Sequence, residues 1–303
     1  MSHKNNTVLV TGASGFVGRY TVPGLLERGW NVKAFVRRLE RGQSLKQCGA
    51  TLVQGDLLDR GSLLAAVDGC TAVVHLAGLG YSSNEALNHE VNVVGSRNLA
   101  DACVERKVQR VVNVSSTCAG RARQDSYGRT KELAEREFAH PQLHVTHLRP
   151  TMIYGQGSDE FDRFAAIVRR APRVPIPGDG TYRLRPVCIH DVVELFDRVL
   201  KSPEASGKVY DVAGPEPIAI NDFITLVGQL QGKRTKILHV PERLALFGAR
   251  ILGKMMAHPP ANMDQVLAFL QDTEVEIGPA CQDFTWAPRS LQSGLEEVLR
   301  SAP

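Results

Sequence analysis

An α/β fold on a doubly wound parallel sheet is predicted by three features of the 303-residue sequence. Short β-branched runs alternate with segments whose apolar residues recur at helical spacing. Six such runs fall within residues 1–150. A glycine-rich turn joins the first run to the first helical segment. Parallel neighbours need a crossover and an intervening helix supplies one, so the alternation itself points to parallel pairing.

In order, the runs are VLVTG (8–12), VKAFV (32–36), TLVQGD (51–56), AVVHLAG (72–78), RVVNVSS (110–116) and HVTHLRP (144–150). The apolar periodic stretch through Leu26, SLLAAV (62–67) and VNVVGSRNLADACVERK (91–107) are helical. Beyond Tyr154 the pattern changes. Residues 155–186 are rich in Gly, Pro and Arg and read as loops around one helix near 160–170. CIHDVVELFDRVLK (188–201) reads as a strand end entering a helix, KVYDVAG (208–214) as a strand returning to the sheet, and 215–303 as mainly helical. The expected organisation is one domain over 1–155, with 187–214 returning to it, and a smaller substrate-binding or lid region over 156–186 and 215–303.

Composition narrows the partners. Lys plus Arg number 36 against 32 Asp plus Glu, a net +4. That excess is too small for nucleic acid to be the main partner, but it suits a small phosphate-bearing ligand. The first residues, MSHKNNTVLV, lack a secretory pattern, and no run approaches the ~18 apolar residues of a membrane span. Six scattered cysteines without a CxxC pair point to reduced thiols in a cytoplasmic protein, with no metal site. VPERLALFGARILGKMM (240–256) is apolar apart from Glu242 and the basic points Arg243, Arg250 and Lys254. Core or lid packing is its expected role, and contact with a membrane surface or a partner the alternative.

Thr11-Gly12-Ala13-Ser14-Gly15-Phe16-Val17-Gly18 sits between a strand and a helix. Gly12 permits a tight turn, Gly15 lets backbone N–H groups approach a pyrophosphate, and Gly18 lets the helix pack close to the sheet. A dinucleotide site is expected here, with Thr11, Ser14 and Phe16 among its contacts. The second strand ends Val36-Arg37-Arg38, where an acid would hold the ribose hydroxyls of NAD. Arg37 and Arg38 suit a 2′-phosphate instead, which favours NADP(H) over NAD(H). Asp56 and Leu57, after the third run, are placed near adenine. Leu76, Ala77 and Gly78, after the fourth, form a small-residue wall, and His75 reads as a packed strand residue.

Tyr127 and Lys131 lie at i and i+4 and share one helical face. A phenol is a poor base at neutral pH, but a neighbouring ammonium and an oxidised nicotinamide lower its pKa. It can then exchange a proton with a carbonyl or alcohol while hydride moves. Ser115 or Ser116 supplies a hydroxyl to the same oxygen, with Ser116 preferred from the strand register.

Jointly, TGASGFVG, GDLLD, HLAG, VNVVGSRNL, VVNVSS, YGRTK and LRPTMIYG resemble the extended or atypical branch of the short-chain dehydrogenase/reductase superfamily. RPVCIHDVV and YDVAGPEPI extend the likeness. The resemblance implies a Rossmann domain followed by a smaller C-terminal substrate region. It makes Tyr127 the acid–base, Lys131 its pKa-lowering and ribose-holding partner, and Ser116 the substrate-orienting group. It places Asn92 in support and Arg149-Pro150 through Ile153 along the nicotinamide. Arg183 and Arg185 become candidates for a substrate pyrophosphate. The implied activity is NADP(H)-dependent hydride transfer on a carbonyl/alcohol substrate, with a nucleotide-sugar epimerase or dehydratase as alternative and a homodimer possible in this family. HPPANMDQVLAFLQDTEVE with FTWAPRSLQSGLEEVL is similar to relatives of the NADPH-binding accessory subunit of respiratory complex I, which adds a non-catalytic, structural alternative.

Overall fold

Six strands carry the N-terminal half of the computed structural model, which describes residues 6–80, 84–120, 126–255 and 271–300. They are β1 (Thr7–Thr11), β2 (Asn31–Val36), β3 (Thr51–Gln54), β4 (Ala72–His75), β5 (Arg110–Val114) and β6 (His144–Pro150). Between them run α1 (Phe16–Glu27), α2 (Gln43–Gln47), α3 (Arg60–Val67), α4 (Glu85–His89), α5 (Gly95–Glu105) and α6 (Ser126–Glu137). The strand Val209–Val212 completes a seven-stranded sheet in the order Val209–Val212, β6, β5, β4, β1, β2, β3. Every neighbouring pair is parallel. The order reverses between β1 and β4, the crevice where doubly wound sheets bind ligands at their carboxyl ends.

One sheet face shows how the sequence builds both core and site. Leu9, Val73, Val111 and Val145 are cross-strand neighbours. They join Phe35, Leu63, Leu99 and Phe138 in a buried apolar cluster. Two residues further along the same strands, on the same face, stand Thr11, His75, Asn113 and His147. The face therefore turns from apolar to polar as it reaches the strand ends.

The chain divides into two compact units, one of Met1–Pro150, Ile189–Val212 and Glu276–Ala287, the other of Thr151–Cys188, Ala213–Val275 and Pro288–Pro303. Two boundaries differ from the sequence reading. Ile153–Tyr154 pairs with Val187–Cys188, placing both in the second unit. The helix Gly278–Phe284 belongs to the first, where Tyr210 meets Phe284 edge-on and the Trp286 indole donates to the Asp191 carbonyl at 3.0 Å. A strand edge and a buried indole donor recruit this segment, which periodicity does not register.

Within the second unit, the expected loops contain short pairings: Arg183–Leu184 with Ile218–Ala219, and Val174–Pro177 with Ile237–Val240. Strands this short carry too few residues to show a period. The helix Asp159–Arg170 appears where expected. Ser158 caps it, acids fill its first turn, and Arg169 and Arg170 close its last. In the helix Glu242–Met255, Leu244 and Phe247 are 61% and 63% exposed, so core packing does not account for them. No helix among the described residues is long and apolar enough to cross a membrane.

Candidate active site

The turn after β1 is built on Gly12, whose φ of +65° lies in the left-handed region. A Cβ there would stand 2.7 Å from the Ala77 nitrogen and 2.8 Å from the Leu76 carbonyl carbon. Gly15 donates its N–H to the Gly12 carbonyl at 2.9 Å and is exposed at the start of α1. A Cβ on Gly18 would fall 2.4 Å from the Gly12 oxygen, so α1 approaches the turn closely only because that position is bare. Ser14 and Phe16 are half-buried beside this turn. The exposed N-terminus of α1 over a glycine cradle fits a dinucleotide pyrophosphate.

Thr11 holds the cradle rather than facing the ligand. It is completely buried, and its hydroxyl meets His75 Nδ1 at 2.7 Å and the backbone N–H groups of Leu76 and Ala77 at 3.2 Å. The expectation of direct cofactor contact by Thr11 is corrected accordingly. Leu57 is corrected in the same way. Its side chain packs in the core against Gly95, and its carbonyl accepts from Asn98 at 3.0 Å. Asp56 folds its carboxylate back onto the Leu58 N–H. Arg37 and Arg38, beyond β2, are exposed and form no ion pair among the described residues.

His75 bears out its reading as a packed strand residue. Both ring nitrogens are engaged, with Thr11 and with Ser96 Oγ at 3.2 Å. Burial, aided by the Lys131 charge, pushes its pKa down to about 3, so the imidazole is neutral.

Asn92 lies in a π turn, Glu90–Val94, between α4 and α5. Such widened turns re-aim a side chain. Here Asn92 accepts from the Leu79 N–H at 2.7 Å, donates to the Leu79 carbonyl at 3.0 Å and donates to Thr130 Oγ1 at 3.1 Å. Thr130 in turn donates to the Tyr127 carbonyl at 2.9 Å. Asn92 thus ties the loop after β4 to the first turn of α6. The bare Gly78 makes this possible, since a Cβ there would lie 3.0 Å from Asn92 Oδ1 and 3.8 Å from Lys131 Nζ.

On α6, Tyr127 is half-buried and Lys131 follows one turn later. Lys131 Nζ donates to the Val114 carbonyl at 2.9 Å, which brings the ammonium to the end of β5 beside the serine pair. Burial lowers its pKa to about 8, with Glu135 opposing the shift. The serines differ. Ser116 Oγ accepts from the Cys118 N–H at 3.2 Å, leaving its own proton to donate. Ser115 Oγ is buried, forms no hydrogen bond among the described residues, and has the Glu135 carboxylate as its neighbour.

The residues assigned by resemblance to the nicotinamide face and the pyrophosphate divide. Arg149 is clamped by Glu135 through two hydrogen bonds of 2.8 and 2.6 Å and is corrected to a helix-anchoring role. Pro150 is buried at the end of β6, and Ile153 lies in the second unit. Arg185 donates to the carbonyls of Gly214, Pro215 and Val275 at 2.7, 2.9 and 2.9 Å, so its guanidinium is a structural tie. Arg183 is exposed and forms no ion pair among the described residues. Glu135 was missed from the sequence, although it continues the spacing of Tyr127 and Lys131 by one more turn.

The fold and the cradle define the class: an extended short-chain dehydrogenase/reductase on a Rossmann sheet. The family model for the NAD dependent epimerase/dehydratase family matches residues 8–213, and the chain belongs to that family. Its relatives include reductases and an epimerase. The 2-alkyl-3-oxoalkanoate reductase of Stenotrophomonas maltophilia is 26% identical over 328 residues, spanning 97% of this chain and 99% of the reductase. The mitochondrial NADH dehydrogenase (ubiquinone) 1 alpha subcomplex subunit 9 of Dictyostelium discoideum is 24% identical over 276 residues, 89% of this chain and 77% of the subunit. This agrees with the likeness read in the C-terminal tail, although residues 258–270 of that tail lie outside the described residues. Among solved structures, MoeE5 in complex with UDP-glucuronic acid and NAD matches at a TM-score of 0.77 and 25% identity, over 97% of this chain and 99% of that one.

Proposed function

We propose that the protein is an NADP(H)-dependent reductase that transfers hydride between the nicotinamide and a carbonyl/alcohol pair on an organic substrate. The observation that carries this reading is the anchoring of α6, which holds the Lys131 ammonium at the Val114 carbonyl one turn from Tyr127. When bound, the cofactor supplies or accepts the hydride. Tyr127 gives a proton to the carbonyl oxygen in reduction and takes it back in oxidation. Lys131, still mostly charged at neutral pH, stabilises the phenolate that remains. Ser116 donates its hydroxyl proton to the same oxygen and orients it.

Preference for NADP(H) is supported by the two exposed guanidiniums after β2 and the absence of an acid at Val36. The likeness to MoeE5, which holds UDP-glucuronic acid and NAD, favours a nucleotide sugar as the second reading. Arg185 weighs against it, because three carbonyls already occupy its guanidinium, which leaves only Arg183 of the two candidates for a diphosphate. The third reading, a nucleotide-holding subunit without turnover, fits the complex I relative and would use Lys131 to hold the ribose, but it gives the Tyr127 phenol no proton to transfer.

The test is incubation of purified protein with NADPH and a panel of keto esters, ketones and UDP-sugars. Net NADPH oxidation supports the reductase. Sugar conversion without net oxidation replaces it with the epimerase, and cofactor binding with neither leaves a scaffold. Tyr127→Phe should lower turnover by ~10²–10⁴-fold. A variant that turned over at the wild-type rate would remove Tyr127 from the chemistry.

A further inference from the structure

Consecutive turns of α6 hold consecutive residues at the end of β5. Lys131 takes the Val114 carbonyl, and one turn later Glu135 lies beside the Ser115 hydroxyl. Glu135 is 9% exposed, and Arg149 of β6 grips both of its oxygens. Arg149 pairs in register with Asp211 of the next strand, whose carboxylate accepts from the Glu276 N–H at 3.2 Å. Asp211 thus adds a second negative charge near the guanidinium, whose ion pair is with Glu135.

An ion pair with a buried carboxylate and a half-buried guanidinium is a poor way to fasten a helix for stability alone. Well-packed apolar residues of the same volume do as well or better. What an apolar pair cannot supply is an anion one helical turn from the Lys131 ammonium, on the same face. The other titratable and charged groups on these elements do not replace it. His75 of β4 is neutral. His147 of β6 is lowered by burial and bonds to Asn113 at 3.0 Å. Glu132 of α6 pairs with Arg136. Asp211 is raised by burial and faces Arg149. Tyr127 is the group that Lys131 serves. Among the described residues, Glu135 is the acid whose charge reaches Lys131.

We propose that Glu135, fixed by Arg149, is a positioning residue for the reaction: it supplies the buried counter-charge for Lys131 and locks α6 in register with Ser115 and Ser116. This rests on the reading of Tyr127 and Lys131 as the acid–base pair. The pair would be costly for fold and is retained for charge. Removing the carboxylate leaves the ammonium desolvated and uncompensated, so Lys131 deprotonates at lower pH and ceases to stabilise the phenolate there.

The experiment titrates Lys131 directly in the full-length protein, by pulse acetylation with acetic anhydride across pH and peptide mass spectrometry. Two variants are compared with wild type. Glu135→Gln removes the charge, and the pair Glu135→Gln with Arg149→Gln removes it without stranding a guanidinium. In both, the Lys131 midpoint should fall by roughly half a unit to one unit, and the alkaline limb of turnover should fall with it. Glu135→Asp should restore the limb while kcat stays reduced, because the shorter side chain keeps the charge but not the register. An unchanged Lys131 midpoint and limb in the double variant would overturn the proposal. So would failure of both charge-removing variants to fold, since the pair would then be a fastening of the fold. Failure of the underlying reading is separate: it appears as full activity in Tyr127→Phe.

Discussion

Gly12→Ala is expected to damage both stability and cofactor binding, and the structure supplies its own control. At φ +65°, any L side chain costs ~1–2 kcal/mol in backbone strain. The added Cβ also meets backbone atoms of Leu76 and Ala77 at 2.7–2.9 Å, and these are held by Thr11 and cannot swing aside. Overpacking of this kind adds about 1–3 kcal/mol. Gly69 has nearly the same backbone angle, φ +68°, but a Cβ there meets nothing within 4 Å. Gly69→Ala therefore carries the strain alone. Thermal unfolding should place Gly12→Ala roughly 2–6 °C below Gly69→Ala, taking about 2 °C per kcal/mol for a chain of this size. Addition of NADPH should raise the midpoint of Gly69→Ala as it does for wild type and leave Gly12→Ala nearly unmoved. Equal midpoints and equal cofactor shifts would refute the argument that this turn is both sterically closed and the dinucleotide cradle.

Three further outcomes follow from the same geometry. Lys131→Met should be inactive yet more stable than wild type at pH 7. A lysine lowered from 10.5 to about 8 costs up to ~3 kcal/mol below pH 8, a cost relieved as pH rises from 8 toward 10.5; chemical denaturation at pH 7 and pH 10 checks both the gain and its loss. His75, lowered to about 3, makes the fold lose stability as pH falls from about 6.5 toward 3, because the unfolded chain binds a proton that the folded one refuses. His75→Gln should flatten that acid limb in a pH series of unfolding curves, and an unaltered slope would assign the limb to other groups. Replacing Arg37 and Arg38 together with Ala should weaken NADPH by about 10²–10⁴-fold in calorimetric titration while NADH changes little, since each charged hydrogen bond to the 2′-phosphate contributes roughly 1.5–3 kcal/mol. Tighter binding of NADH than NADPH by the wild-type protein would reverse the cofactor preference.

Local pattern made much of this protein legible. Alternation of β-branched runs with periodic helices announces the parallel sheet, and the strands at 32–36 and 144–150 lie within a residue of their expected bounds. Gly12, Gly15 and Gly18 are readable because a left-handed turn and a close helix approach tolerate little else. Tyr127 and Lys131 are readable because four residues make one helical turn. The run RVVNVSS was read two residues too long: β5 stops at Val114, whose carbonyl Lys131 takes.

Roles that depend on which strands become neighbours lay beyond the sequence. Thr11 and Leu57 sit within ligand-binding motifs, yet a cross-strand bond to His75 holds Thr11 inward and packing against Gly95 of α5 buries Leu57. Arg149 and Arg185 carry the charge a phosphate would want, but Glu135 and three carbonyl oxygens claim them. Glu135 gains its meaning only when α6 lies over β5 and β6. Periodicity encodes which face of an element is apolar, a property of neighbours a few residues apart. The partner of a buried charge is set by chain segments remote in sequence, and only the folded sheet brings them within hydrogen-bond reach.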